Sequence, residues 1–159
     1  MKKEEWGPLV WTLFHLLSMD SDRKDIGAIW NRVLLATQHA LPCGQCREHM
    51  RLYLRTHRLL FFPLKDTGPM FQLRVARFFH EFHNSVNTRL GKDLITYESC
   101  VEHFKIGSRA ERLTEVNRVF QLLCEGWASE DHFRIYPGVF TEWKSSLRTL
   151  FAMIQSGPY

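Results

Sequence analysis

Apolar residues recur along this chain at three- and four-residue spacings, and no run alternates convincingly at period two. The pattern predicts helices and no sheet. A first helix is expected from Gly7-Pro8, since proline is well tolerated at the first helical position, to about Met19. Trp11, His15 and Ser18 share one of its faces. A second spans about Asp25 to Ala40 with Ile26, Ile29, Trp30, Val33 and Leu34 as its apolar stripe, and Pro42 stops it. A third opens at Cys43 and runs to about His57, and a loop with Phe61, Phe62, Pro63, Gly68 and Pro69 follows. A long fourth helix, about Met70 to Leu90, has Phe71, Val75, Phe78, Phe79, Phe82 and Val86 as its spine. Gly91 is placed to cap its C-terminus, where left-handed geometry suits glycine, and Thr96 to cap a short fifth helix. After Gly107-Ser108 two amphipathic stretches remain, about Ala110 to Trp127 and about Phe140 to Ile154. The expectation is an all-α protein. A compact four-to-five-helix bundle over residues 1–106 carries a helical C-terminal extension, 107–159, that packs on the bundle or forms an interface.

Composition narrows the function classes. With 45% hydrophobic residues the chain can build a real core, so disorder is excluded. Its net charge of +4 is spread out: Arg74, Arg77 and Arg89 punctuate a helical pattern as a solvated face would, rather than forming the dense stripe that binds nucleic acid. The N-terminus is charged, and Thr12, His15 and Ser18 interrupt the apolar run after it. That run is neither a signal core nor a membrane span, so an intracellular protein without membrane insertion is expected. In such a chain a CxxC pair is catalytic or metal-binding more often than structural.

Two motifs carry chemistry. Cys43-Gly-Gln-Cys46 sits where a helix begins, and the unpaired N–H groups and dipole of a helix N-terminus favour a thiolate. One sulfur of such a pair can exchange with a substrate disulfide or thiol while the other resolves the mixed disulfide. A pair of buried or metal-bound thiols is the plainer alternative. In the fourth helix His80, His83 and Asn87 share a face, with Asn84 beside them and Lys92 just beyond the helix end. Buried polar groups need partners, and a ligand rich in acceptors and phosphate would supply them, with Lys92 as the point charge. Trp11 and His15, one turn apart, are flat side chains suited to stacking on a ring system. Each histidine taken alone could equally cap backbone.

These residues resemble the Erv/ALR-type FAD-linked sulfhydryl oxidases over about residues 6 to 104. The likeness rests on three motifs in order: Trp6-Gly7-xxx-Trp11-xxx-His15, Pro42-Cys43-xx-Cys46, and His83-Asn84-x-Val86-Asn87-xx-Leu90-x-Lys92. The resemblance implies a helical bundle that holds FAD non-covalently, often as a homodimer. It implies that Cys46 is the flavin-proximal sulfur and Cys43 the outer one that exchanges with thiol-containing client proteins. It further implies that Gly7, Trp11, His15, His83, Asn84, Val86, Asn87, Leu90 and Lys92 line the FAD, with Tyr97 as a looser match. Electrons would pass from the dithiol to FAD and then to O2, giving hydrogen peroxide.

The chain also departs from that pattern. Cellular members carry a disulfide bracketing the His-Asn motif, whereas His80 and Tyr97 stand at those positions, and there is no second CxxC to act as a shuttle. Cys100 and Cys124 could pair, bridge subunits, shuttle electrons or be buried small hydrophobes. Members lacking both features are typical of large DNA viruses, so this branch is expected, with the host cytoplasm and the virion as its places. The rival reading is a zinc-binding structural module using Cys43, Cys46, His80 and His83. It leaves Trp11, His15, Asn84, Asn87 and Lys92 unexplained. A thioredoxin-like fold would need strands around the CxxC, and a flavin-free scaffold would leave the CxxC without a purpose.

Overall fold

The computed structural model describes residues 1–23, 25–57 and 68–157. Among them the elements are helices: α1 (Lys3–Met19), α2 (Gly27–Ala40), α3 (Gly44–Thr56), α4 (Pro69–Arg89), α5 (Tyr97–Phe104), α6 (Arg109–Trp127), α7 (Asp131–Ile135) and α8 (Pro137–Gln155). No described residue is in a strand. Phe61, Phe62 and Pro63 of the expected loop lie outside the described residues.

Helix ends follow local chemistry. α1 begins at Lys3 rather than at Gly7-Pro8, because Glu5 accepts the Lys2 backbone N–H at 2.6 Å and Glu4 and Glu5 complement the dipole of the first turn. Pro8 therefore lies inside the helix. The carbonyl it leaves without a donor is that of Glu4, in an exposed first turn where water can serve instead. Thr96 caps α5 by accepting the Ser99 N–H at 3.1 Å, and Gly91 turns the chain after α4 at φ 68°. The short α7 escaped the periodicity because five residues make little more than one turn.

α1 is the hub, packed by α4, α5 and α6, while α2 packs against α3 and α8. Phe14 and Phe79 stack at 4.9 Å, and Trp30 lies 5.1 Å from Phe79. The buried Trp30 indole donates to Ser21 Oγ at 2.9 Å, and that hydroxyl donates on to the Leu17 carbonyl at 2.7 Å. The extension folds onto the bundle rather than standing apart. Trp127 on α6 and Trp143 on α8 are wholly buried, 4.7 Å apart, and Trp127 meets Trp6 of α1 edge-on at 5.6 Å. A charged clamp adds to this: Arg112 grips Asp20 through two bonds of 2.9 and 2.8 Å, and Arg109 reaches Asp22 at 3.2 Å and the Ile154 carbonyl at 2.7 Å. α6 and α8 thus cover one side of α1 and α2, leaving the side of α1 toward α3, α4 and α5 for the site. Among the described residues no helix is long and apolar enough to cross a membrane.

Candidate active site

Pro42 cannot extend α2, and Cys43 follows in extended geometry as the N-cap of α3. Its sulfur accepts the Cys46 backbone N–H at 3.2 Å and is joined to Cys46 in a disulfide. The two sulfurs are not equivalent. Cys46 lines a cavity of about 880 Å³, whereas Cys43 does not and adjoins the exposed Gly44 and Gln45.

That cavity lies near the upper end of the roughly 300–1,000 Å³ range of cofactor and small-molecule sites. Gly7, Trp11, His15, His83, Asn84, Val86, Asn87, Leu90 and Lys92 all line it. Trp11 and His83 lie flat on each other at 4.1 Å, and His15 is stacked on Phe104 at 4.6 Å. His15, though it borders the cavity, is wholly buried, with one ring face packed on Phe104. A Cβ built on Gly7 would meet nothing within 4 Å, so packing within the chain does not demand that glycine. It keeps the wall open for something else. Lys92 and Arg89 bring positive charge to the same cavity.

Asn84 lines the cavity and also holds backbone. Its Oδ1 accepts the Ile95 N–H at 3.0 Å and its Nδ2 donates to the Ile95 carbonyl at 2.8 Å, so the amide pins the segment after Gly91 onto α4. His80 bonds the same carbonyl at 2.6 Å. Tyr97 is not among the lining residues. Its ring meets His80 edge-on at 5.7 Å under the Arg77 guanidinium, 4.8 Å from the ring centre.

Burial dominates the electrostatics. It lowers His15 to a pKa of about 3, helped by the neighbouring His83, His80 and His103, and lowers His83 to about 4, helped by Lys92 and His80. Both rings are therefore neutral at pH 7. An unfolded histidine takes up its proton near pH 6.5. Between 6.5 and the folded value the unfolded chain binds a proton that the native chain refuses. The stability held by neutral His15 is thus complete above pH 6.5 and falls, by about 1.4 kcal/mol per pH unit, as the pH drops toward 3. Denaturant melts at pH 7 and pH 5 check this: the wild type is expected to lose stability more steeply than His15→Asn, and parallel slopes would refute it.

The residues 8–109 match the model of the Erv1 / Alr family. This chain belongs to the Erv1 / Alr family. Three viral relatives carry names that designate FAD-linked sulfhydryl oxidases. The 096R protein of Invertebrate iridescent virus 3 is 27% identical over 116 residues, 69% of this chain and 74% of the relative. The 347L protein of Invertebrate iridescent virus 6 is 29% identical over 104 residues, 57% and 83% respectively. The R368 protein of Acanthamoeba polyphaga mimivirus is 26% identical over 109 residues, 64% and 70%. No solved structure matches the chain.

For an Erv1 / Alr member, the zinc alternative finds no support in the geometry. Cys43 and Cys46 are bonded to each other, His83 Nδ1 is engaged by His15, and His80 Nε2 by the Ile95 carbonyl. Among the wall residues that the sequence reading did not place at the site are His49, Cys100, His103 and Phe104. His49 sits one turn after Cys46 and meets Ser85 at 3.2 Å, and burial and the nearby Arg89 lower its pKa. The other three follow Thr96 at helical spacing, which is the signal that could have found them.

Cys100 and Cys124 are unpaired. Cys124 lies at a second cavity of about 490 Å³ among α1, α6 and α8, where burial raises its thiol pKa. Cys124→Ser is expected to leave dithiothreitol oxidation at the wild-type rate in an oxygen-electrode assay. Loss of activity in a folded variant would make Cys124 part of the electron route.

Proposed function

We propose that this chain is an FAD-linked sulfhydryl oxidase that introduces disulfides into client proteins. The observation that carries the reading is the position of Cys46: one half of a disulfide at a helix N-terminus, set in the wall of a cavity whose other walls supply rings, amides and cations. Trp11, His83, Val86, Asn87, Leu90 and Lys92 would hold FAD, with Gly7 leaving room, His15 supporting His83 from behind, Asn84 fixing the segment that carries Lys92, and Tyr97 holding that segment from outside. The chemistry FAD supplies when bound is the two-electron oxidation of the Cys43–Cys46 dithiol and delivery of the electrons to dioxygen, giving hydrogen peroxide.

The protein's own steps concern sulfur. A client thiolate attacks Cys43 Sγ, the Cys43–Cys46 bond breaks, and Cys46 leaves with the electron pair as a thiolate at the cavity wall. A second client thiolate then attacks the client sulfur of the mixed disulfide. The client disulfide forms, and Cys43 leaves as a thiolate that the Cys46 N–H stabilises. Access favours this order, because Cys43 adjoins the exposed turn while Cys46 faces inward.

The same reading makes residues 1–106 the cofactor-binding bundle and 107–159 its helical extension, and gives the enzyme thiol-containing clients and O2 as partners. It includes a homodimer. Since α6 and α8 already occupy one side of α1 and α2, a second copy would use another surface. Names among the relatives support a viral source, with the host cytoplasm and virion as the places of action. The test is the visible spectrum of the purified protein before and after dithiothreitol in air. A flavin spectrum that bleaches and returns as oxygen is consumed supports the oxidase; a protein that stays colourless after incubation with FAD rejects it.

A further inference from the structure

Within the cavity wall, three side chains from three helices form one hydrogen-bonded row. Cys100 of α5, 5% exposed, places its sulfur 3.5 Å from His15 Nδ1. His15 of α1, 0% exposed, places Nε2 3.0 Å from Nδ1 of His83 on α4. His83 lies flat on Trp11 and lines the cavity, and its remaining ring nitrogen is Nε2.

A neutral imidazole carries one N–H and one lone pair, so such a row has a single direction. Either every proton points from Cys100 toward the cavity, or every proton points back. Which holds decides whether His83 meets a ligand as a donor or as an acceptor. The relative acceptor strengths of nitrogen and sulfur decide it. Burial raises Cys100 to a pKa of about 11, so the sulfur keeps its proton. A ring nitrogen is also a better acceptor than a thiol sulfur, so S–H to Nδ1 is the stronger choice. His15 then donates from Nε2 to His83 Nδ1, and His83 carries its proton on Nε2. Lys92, His80 and His103 surround the row and oppose an imidazolium, which keeps each ring at one proton.

We propose that Cys100 is a positioning residue: through His15 it fixes the tautomer of His83 and turns that ring into a hydrogen-bond donor toward the cavity. The inference rests on the reading that the cavity takes FAD, whose phosphates, carbonyls and ring nitrogens call for donors. A reversed row would set a lone pair against those acceptors. The buried thiol thus serves without exchanging disulfides, which its 5% exposure would in any case oppose.

The test is nitrogen-15 NMR of labelled histidines in the full-length protein, with and without FAD, alongside FAD affinity. The wild type is expected to show His15 and His83 as Nε2–H tautomers. Cys100→Ser keeps an O–H donor and should keep both tautomers and the affinity. Cys100→Ala removes the donor, so Nδ1–H forms should appear and FAD should bind about tenfold more weakly. An Nδ1–H His83 in the wild type, or unchanged tautomers in Cys100→Ala, overturns the proposal. Failure of the functional reading is seen separately: the predicted tautomers in a protein that binds no FAD would uphold the row while rejecting the cofactor.

Discussion

Cys43→Ser and Cys46→Ser are each expected to reduce oxidation of dithiothreitol by about 10³-fold or more, to the background rate, in a protein that stays folded. A disulfide needs two sulfurs, so neither variant can cycle, and the losses of the single variants should equal that of the double. Serine is a preferred N-cap, so at position 43 it keeps the start of α3 intact. The two variants differ in what they trap. Cys46→Ser leaves the outer thiol, which should attack a client peptide supplied as its disulfide, release one half as a thiol and keep the other half, with its mass, as a stable mixed disulfide. Cys43→Ser leaves the cavity thiol, and the same peptide should label it far more slowly. Oxygen uptake at the wild-type rate in either variant would remove the pair from the reaction; equal labelling would reject the distinction between inner and outer sulfur, and faster labelling of Cys43→Ser would reverse it.

The pattern of apolar spacing was enough for α2, α4 and α6, because each has a stripe long enough to define a period, while α3 was placed by Pro42 ahead of Cys43. It misplaced the start of α1, where a proline reads as a beginning although the real start depends on Glu5 reaching back to Lys2. It passed over α7, which is too short to show a period. Trp11 with His15, and His83 with Asn87, were legible as two helix faces from their spacing, while the family resemblance joined them and added Gly7; the structure brings all five around one cavity with Cys46. Their individual tasks were not legible. Whether Asn84 faces a ligand or pins Ile95, and whether His15 stacks or stands behind His83, depends on the path of the chain after Gly91 and on the rotation of α5 against α1. Cys100 could not be placed for the same reason: its neighbour in space is His15, far away in sequence.

Asp20→Ala is expected to destabilise the protein by about 3 kcal/mol, lowering the melting temperature by roughly 10 °C. Asp20 is 3% exposed at the end of α1, and its two oxygens take both bonds of the Arg112 fork from α6. Removing the carboxylate strands a guanidinium whose side chain is only 10% exposed, and the cost comes from that uncompensated charge more than from the lost attraction. Arg109 lies 3.7 Å from the same carboxylate, so its positive charge adds to the imbalance once Asp20 is gone, although it keeps Asp22 and the Ile154 carbonyl. The mechanism can be separated from a general loosening of the fold. Adding Arg112→Met to Asp20→Ala removes the stranded charge while keeping an apolar stem, so the double variant should recover most of the loss. A double variant no more stable than Asp20→Ala would show that the pair matters through shape. The outcome also bears on the site, because α1 carries Gly7, Trp11 and His15 on the side away from this clamp. If α6 holds α1 in register through Asp20, FAD affinity should fall in Asp20→Ala and stay low in the double variant even as stability recovers, whereas affinity that returns with stability would trace the loss to the stranded charge alone.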